Sequence, residues 1–372
     1  MKTIQLFAPT FEIDECLEEI RKCLELGWTG IGFKTNEFEN EFGKYINSKL
    51  CHFVNSNTNG IHLLLEVLKR KYNWKNGDEV ITSPLTFVSA NHSILHSGLS
   101  PIFADIDDSL CMTPESVQSK ITSNTKAVMY VCIGGNASHL VAVKRLCKEH
   151  GLKLILDAAH SAGSRLNNKH LSELSDYSIY SFQAVKNLPS ADSGMVVFQT
   201  AEEDELARQL SWCGINKDTY SRSKDGYKWL YDVNEVGFKY HGNSIMASIA
   251  LVQLKYLDRD NAVRRNINEL YKSKLHPTAH FDFIKHSNEL ESSRHLIQLT
   301  CERRDELIEY LSANGIGTGV HYVPNNKYPM YKHMPTPYAQ AKYLKIISLP
   351  NHLRLEEDDI IYITDHIKKF YK

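Results

Sequence analysis

Between about residues 50 and 200, short apolar runs alternate with stretches of helical periodicity, and this alternation restricts the architecture. CHFV, EVITS, PIFADI, AVMYVCI, LKLILDA, YSIYSF and MVVF have the length and branching of buried strands. GIHLLLEVLKRKY and HLVAVKRLCKEH place apolar residues three and four apart, which predicts amphipathic helices. Strands joined through helices form a mostly parallel sheet, because a parallel crossover needs a connection of about that length. The expected class is therefore α/β. In such sheets ligands collect at the carboxyl ends of strands. A long helical pattern over 247–275 leads out of the region, and RRDELIEYLSANGIGTGV and EEDDIIYITDHIKKFY read as helices of a smaller α+β domain. At 372 residues the chain can hold both, with a large domain expected over 1–250 and a small one over 251–372.

Composition excludes several classes of partner. A formal charge of −1 gives no electrostatic case for nucleic acid or an anionic membrane. There is no N-terminal signal pattern and no apolar run of about 18 residues, so a cytoplasmic protein is expected. Eight cysteines lack a CxxC pair and 17 histidines lack an HExxH cluster, so neither a disulfide framework nor a metal site is expected.

Two strand ends carry chemistry. Asp157 closes LKLIL, and Lys186 follows YSIYSF. Taken singly, each reads as a solvated loop residue. A lysine at one strand end and a carboxylate at another is also what pyridoxal phosphate needs: an amine for its aldehyde, and an anion to keep its ring nitrogen protonated. Once a substrate amine displaces it, the lysine can carry a proton to or from the substrate carbon. Small polar residues in NSNTNG precede a helical pattern, so they form either an anion site at a helix start or an ordinary N-cap with Thr58 or Asn57.

The flanks of these residues carry a resemblance. DAAHSAG (157–163), SFQAVKNL (181–188) and ADSGMVVF (191–198) are similar to blocks of the DegT/StrS group of fold-type-I sugar aminotransferases. So are GDEVITSPLTFVSANHSILHSGLSPIFADID (77–107), TKAVMYVCIGGNASHL (125–140), GIGTGVHYVPNNKYPMY (315–331) and ISLPNH (347–352). The likeness runs from about Trp28 to the C-terminus. It implies a pyridoxal 5'-phosphate enzyme in which Lys186 and Asp157 are catalytic. L-glutamate would be the donor and a nucleotide-linked keto-sugar the acceptor, in a homodimer with its active site at the subunit interface.

Carried over by the same resemblance, Thr58, Asn59 and Ser181 bind the cofactor phosphate, with Asn57 standing where the family has glycine. Phe87 stacks on the ring and His160 meets its hydroxyl; without the resemblance they read as a core phenylalanine and a loop histidine. Lys239, in Gly237-Phe238-Lys239-Tyr240-His241, replaces an asparagine that reaches the phosphate across the dimer. It could pair with that phosphate, face the acceptor, or be a surface lysine. Asn243 is a further candidate for interface hydrogen bonding. His321 and Tyr322 fall near the acceptor. Trp212, Tyr220, Arg222 and Trp229 suit either nucleotide binding or packing between lobes. Alternatives are a transaminase of a small phosphorylated ketone such as a triose phosphate, and a catalytically idle binding protein. A cysteine desulfurase would need a mobile late cysteine, and Cys301 lies in a strand-like run.

Overall fold

The computed structural model describes residues 3–216, 220 and 231–372. Its main sheet has seven strands: β1 (Cys51–Val54), β2 (Glu79–Thr82), β3 (Ser100–Phe103), β4 (Thr125–Val131), β5 (Lys153–Asp157), β8 (Tyr177–Ser181) and β9 (Gly194–Val197), where β6 (Arg165–Leu166) and β7 (Lys169–His170) belong to a minor sheet. The order is β1-β9-β8-β5-β4-β2-β3, and β9 alone runs antiparallel to its neighbours. Successive strand residues face opposite sides. Val128, Tyr130, Leu154 and Leu156 enter one core cluster; Ala127, Met129 and Ile155 enter another. Both faces are covered, which is why these strands read as unbroken apolar runs.

A smaller lobe is built on an antiparallel sheet of β10 (Phe281–Phe283), β12 (Ile297–Cys301) and β13 (Ile346–Leu349), while β11 (Leu290–Glu291) pairs with β6. The helix Ser244–Lys274 serves both lobes. Ala247, Ala250 and Leu257 pack in the large core, and Ile267 and Tyr271 in the small one. The boundary expected at 250 falls inside this helix. Ile4 also packs in the small-lobe core and bridges Ile316, so the chain start returns to the C-terminal lobe.

Two local expectations are corrected, over RRDELIEYLSANGIGTGV and at the N-cap of the helix Asn57–Tyr72. The helix expected over RRDELIEYLSANGIGTGV ends at Ala313, where Asn314 and a left-handed Gly315 (φ 75°) turn the chain; Gly319 then pairs with Ser348. Ser56, not Thr58 or Asn57, caps the helix Asn57–Tyr72, its Oγ accepting from the Asn59 N–H at 3.1 Å. Asn243 caps the helix Ser244–Lys274 by accepting from the Met246 N–H at 2.9 Å. Among the described residues, no helix is long and apolar enough to cross a membrane.

Candidate active site

Parallel strands place Asp157 and Ser181 at the carboxyl ends of β5 and β8, next to each other in the sheet. The β8–β9 connection carries Lys186, and β9 returns antiparallel so that Gly194 pairs with Ser181. A Cβ on Gly194 would lie 2.7 Å from Tyr180 O and 2.8 Å from Asn57 N. Glycine there lets the first turn of the helix Asn57–Tyr72 sit directly against the sheet. Asn57 and Thr58 thus reach the same cavity as Asp157 and Lys186, about 460 Å³ in volume. N–H groups in a first helical turn have no intrahelical acceptor, so this wall suits an anion.

Asp157 is buried and accepts from the Ala159 N–H at 3.1 Å. The Asn57 amide donates to Ile179 O at 3.3 Å and more weakly to Asp157 Oδ1 at 3.5 Å. Burial raises the Asp157 pKa, opposed by the Ala159 N–H, the Lys186 charge and Asn57. Burial lowers Lys186 to about 8, with Asp157 pulling the other way. A lysine so placed is partly neutral near neutral pH, as a proton carrier must be.

His160 accepts from the Gly134 N–H at Nδ1 (3.1 Å), which leaves its proton on Nε2, 3.2 Å from the Tyr322 hydroxyl. Gly134 makes this contact from a left-handed conformation (φ 60°). Burial, then the charges of Lys186 and His321, push the His160 pKa well down. Burial takes His321 to about 4, and its Nδ1 lies 2.8 Å from Ser348 Oγ. Phe87 stays 59% exposed on the cavity wall, its ring 6.0 Å from that of Tyr322. Its face is therefore available to a ligand.

Thr58, Phe87, Asp157, His160, Ser181 and Lys186 share this cavity, as do His321 and Tyr322. Asn59 does not line it; its amide turns back to Asn55 Oδ1 at 2.8 Å. Lys239 and Trp212 lie elsewhere in the same chain, the Lys239 ammonium 3.1 Å from the Trp212 ring centroid. Tyr220 packs edge-on against Trp28 at 5.1 Å. Arg222 and Trp229 lie outside the described residues. Sequence reasoning missed Phe7 and His295, which line the cavity from the chain start and the small lobe. No spacing links them to Lys186 and Asp157. Cys301 is buried in β12 with its thiol pushed up to about 11, which removes the nucleophile a desulfurase needs.

These residues fit pyridoxal phosphate. The buried Asp157 carboxylate has neutral donors and no salt-bridge partner within the described residues, and so awaits a cation such as a protonated ring nitrogen. Across the cavity, the helix start and the Ser56 and Ser181 hydroxyls suit a phosphate. When bound, the cofactor supplies an aldehyde that captures amines and a ring that accepts electrons from the substrate carbon.

The model of the DegT/DnrJ/EryC1/StrS aminotransferase family matches residues 11–368. SpsC of Bacillus subtilis, a spore coat polysaccharide biosynthesis protein, is 32% identical over 375 residues, covering 96% of this chain and 95% of the relative. PseC of Helicobacter pylori, an aminotransferase involved in pseudoaminic acid biosynthesis, superposes with a TM-score of 0.90 at 25% identity, covering 99% of each chain. Spr1654 of Streptococcus pneumoniae in its PLP form does so at 0.90 and 26% identity, covering 99% of this chain and 98% of that one. Matched over nearly its whole length, the chain belongs to the DegT/DnrJ/EryC1/StrS family and is a pyridoxal-phosphate-dependent aminotransferase.

Proposed function

We propose that the enzyme transfers an amino group from L-glutamate to a nucleotide-linked keto-sugar, at C4 of a 4-keto-6-deoxyhexose, for a surface polysaccharide such as an O-antigen or capsule. The observation that carries this reading is the single cavity uniting Lys186 and Asp157 with a phosphate-binding helix start. The names of SpsC and PseC, which tie them to polysaccharide and pseudoaminic acid biosynthesis, support a sugar acceptor. Lys186 moves the proton at the substrate carbon, and Asp157 holds the ring nitrogen charged. Thr58 and Ser181 bind the phosphate, Phe87 stacks on the ring, and His160 meets the ring hydroxyl with Tyr322 fixing its Nε2. His321 and Tyr322 wall the acceptor side.

The working form is a cytoplasmic homodimer. Ile13, Leu17 and Leu24 are 66%, 56% and 62% exposed on one face of the helix Ile13–Glu25, an apolar stripe suited to a second copy. In that assembly Lys239 reaches the partner's phosphate site, and Trp212 and Arg222 meet the nucleotide. An absorbance scan tests the reading: purified protein should show a visible cofactor band that moves to the near-ultraviolet on adding L-glutamate. A nucleotide-linked keto-sugar should restore the visible band. Restoration by a triose phosphate alone overturns the sugar assignment, and a colourless protein that takes up no cofactor overturns the whole reading.

A further inference from the structure

We propose that His295 is a substrate-recognition residue whose Nε2 accepts a hydrogen bond from a hydroxyl of the keto-sugar, an inference that rests on the function proposed above. Its direction follows from two side-chain amides. Asn261 donates through Nδ2 to Ala162 O at 2.9 Å, which leaves its Oδ1 as acceptor. Asn187 Nδ2 donates to that Oδ1 at 2.7 Å and to Ser293 O at 2.8 Å. Both amides are anchored on backbone carbonyls and cannot flip. Asn187 Oδ1 therefore faces His295 Nδ1 at 2.9 Å, and the imidazole must donate there.

A neutral imidazole that donates from Nδ1 presents a bare lone pair at Nε2. Burial, reinforced by the neighbouring His160, Lys186, Arg264 and His321, keeps the ring neutral. The ring is 3% exposed, stacked on Phe7 with centroids 5.7 Å apart and tilted against His160 with centroids 4.3 Å apart. It lines the cavity of Lys186, and no described residue donates to its Nε2.

The two substrates differ in what they offer. L-glutamate brings carboxylates, which are acceptors and would meet this lone pair unfavourably, and its one amine is taken up at the reacting centre. The sugar keeps hydroxyl donors beside its carbonyl, and its C–H faces can pack against Phe7. His295 is thus placed to discriminate between the two half-reactions.

The experiment follows each half-reaction separately by absorbance, using L-glutamate for one and thymidine diphosphate-linked 4-keto-6-deoxyglucose for the other. His295→Phe keeps the ring stack and removes the acceptor; His295→Gln returns an amide oxygen. For His295→Phe, kcat/KM for the keto-sugar should fall about tenfold or more. The glutamate half-reaction and the cofactor dissociation constant should stay within about threefold, and His295→Gln should recover part of the loss. Equal losses in both half-reactions, an unchanged keto-sugar rate, or no recovery in His295→Gln would each overturn the assignment. If the wild-type enzyme uses no nucleotide-linked sugar, the proposed function fails. His295 is then judged by whether the hydroxylated ketone it does use loses rate selectively in His295→Phe.

Discussion

Lys186 should destabilise the cofactor-free protein, and the size of that penalty can be worked out. Burial takes its pKa from 10.5 to about 8 after the attraction of Asp157 has acted. Each unit is about 1.4 kcal/mol, so carrying the charge at pH 7 costs at most about 3 kcal/mol. The side chain is half-buried and its amine lies in an open cavity, where water relieves part of this; about 1–2 kcal/mol is expected to remain. Lys186→Met keeps the length of the side chain and removes the charge.

Unfolding entropy of about 2 cal/mol/K per residue gives roughly 0.8 kcal/mol/K for a chain of this size, so Tm should rise by about 1–3 °C. A lysine with a depressed folded pKa binds its proton more weakly in the native state. Its contribution to stability therefore rises with pH between about 8 and 10.5, as the native state sheds the proton first. The advantage of Lys186→Met should be largest at pH 7 and mostly gone by pH 10. Comparing wild type and variant at each pH cancels the buried tyrosines, whose own titration begins near there. Thermal melts of both cofactor-free proteins at pH 7 and pH 10 make the test. A Tm difference equal at both pH values, or negative at pH 7, would refute the electrostatic account of Lys186.

Three other outcomes are expected. Lys186→Ala should abolish turnover while still binding cofactor noncovalently, as read by equilibrium dialysis and steady-state assay; retained transamination would exclude Lys186 as the proton carrier. Asp157→Asn should slow turnover on the order of 10²–10³-fold, since a neutral amide no longer favours a protonated ring nitrogen; a near-normal rate would remove Asp157 from its role. Gly194→Ala should cost about 1–3 kcal/mol, because its Cβ meets backbone at Tyr180 O and Asn57 N, neither of which can swing aside. Cofactor titration should also show weaker binding, as the helix start is pushed off β8; unchanged Tm and affinity would show that the contact relaxes freely.

The sheet was legible in the sequence because both of its faces are buried. KLILD is buried from Leu154 onward and YSIYS throughout, and each strand ends at a residue with chemistry, Asp157 or Ser181. The N-cap was misplaced by one or two residues because Ser56, Asn57 and Thr58 all have capping side chains. What selects Ser56 is its extended backbone (φ −167°), fixed by the end of β1. The helix drawn through GIGTGV ran too far, because the apolar spacing continues past Ala313 while Gly315 breaks the backbone. Asn59 was placed at the phosphate by its position in the motif. Its neighbour Asn55 offers an amide oxygen one helical turn back, and that local bond turns the side chain away from the cavity.

His295 shows why part of the site could not be read in this way. In sequence it is one histidine before an apolar strand, and nothing nearby sets its tautomer. That is decided by Asn187 in the lysine loop, whose amide is oriented by Asn261 on the helix joining the lobes. Asn261 in turn is oriented by Ala162 O, just past the Asp157 strand. Four segments must be assembled before Nε2 becomes an acceptor. Strand ends place Lys186 and Asp157 by local rules that a single sequence can show. The hydrogen-bond polarity of the wall facing them is a tertiary property, so substrate choice can change there without altering the motif that marks the cofactor.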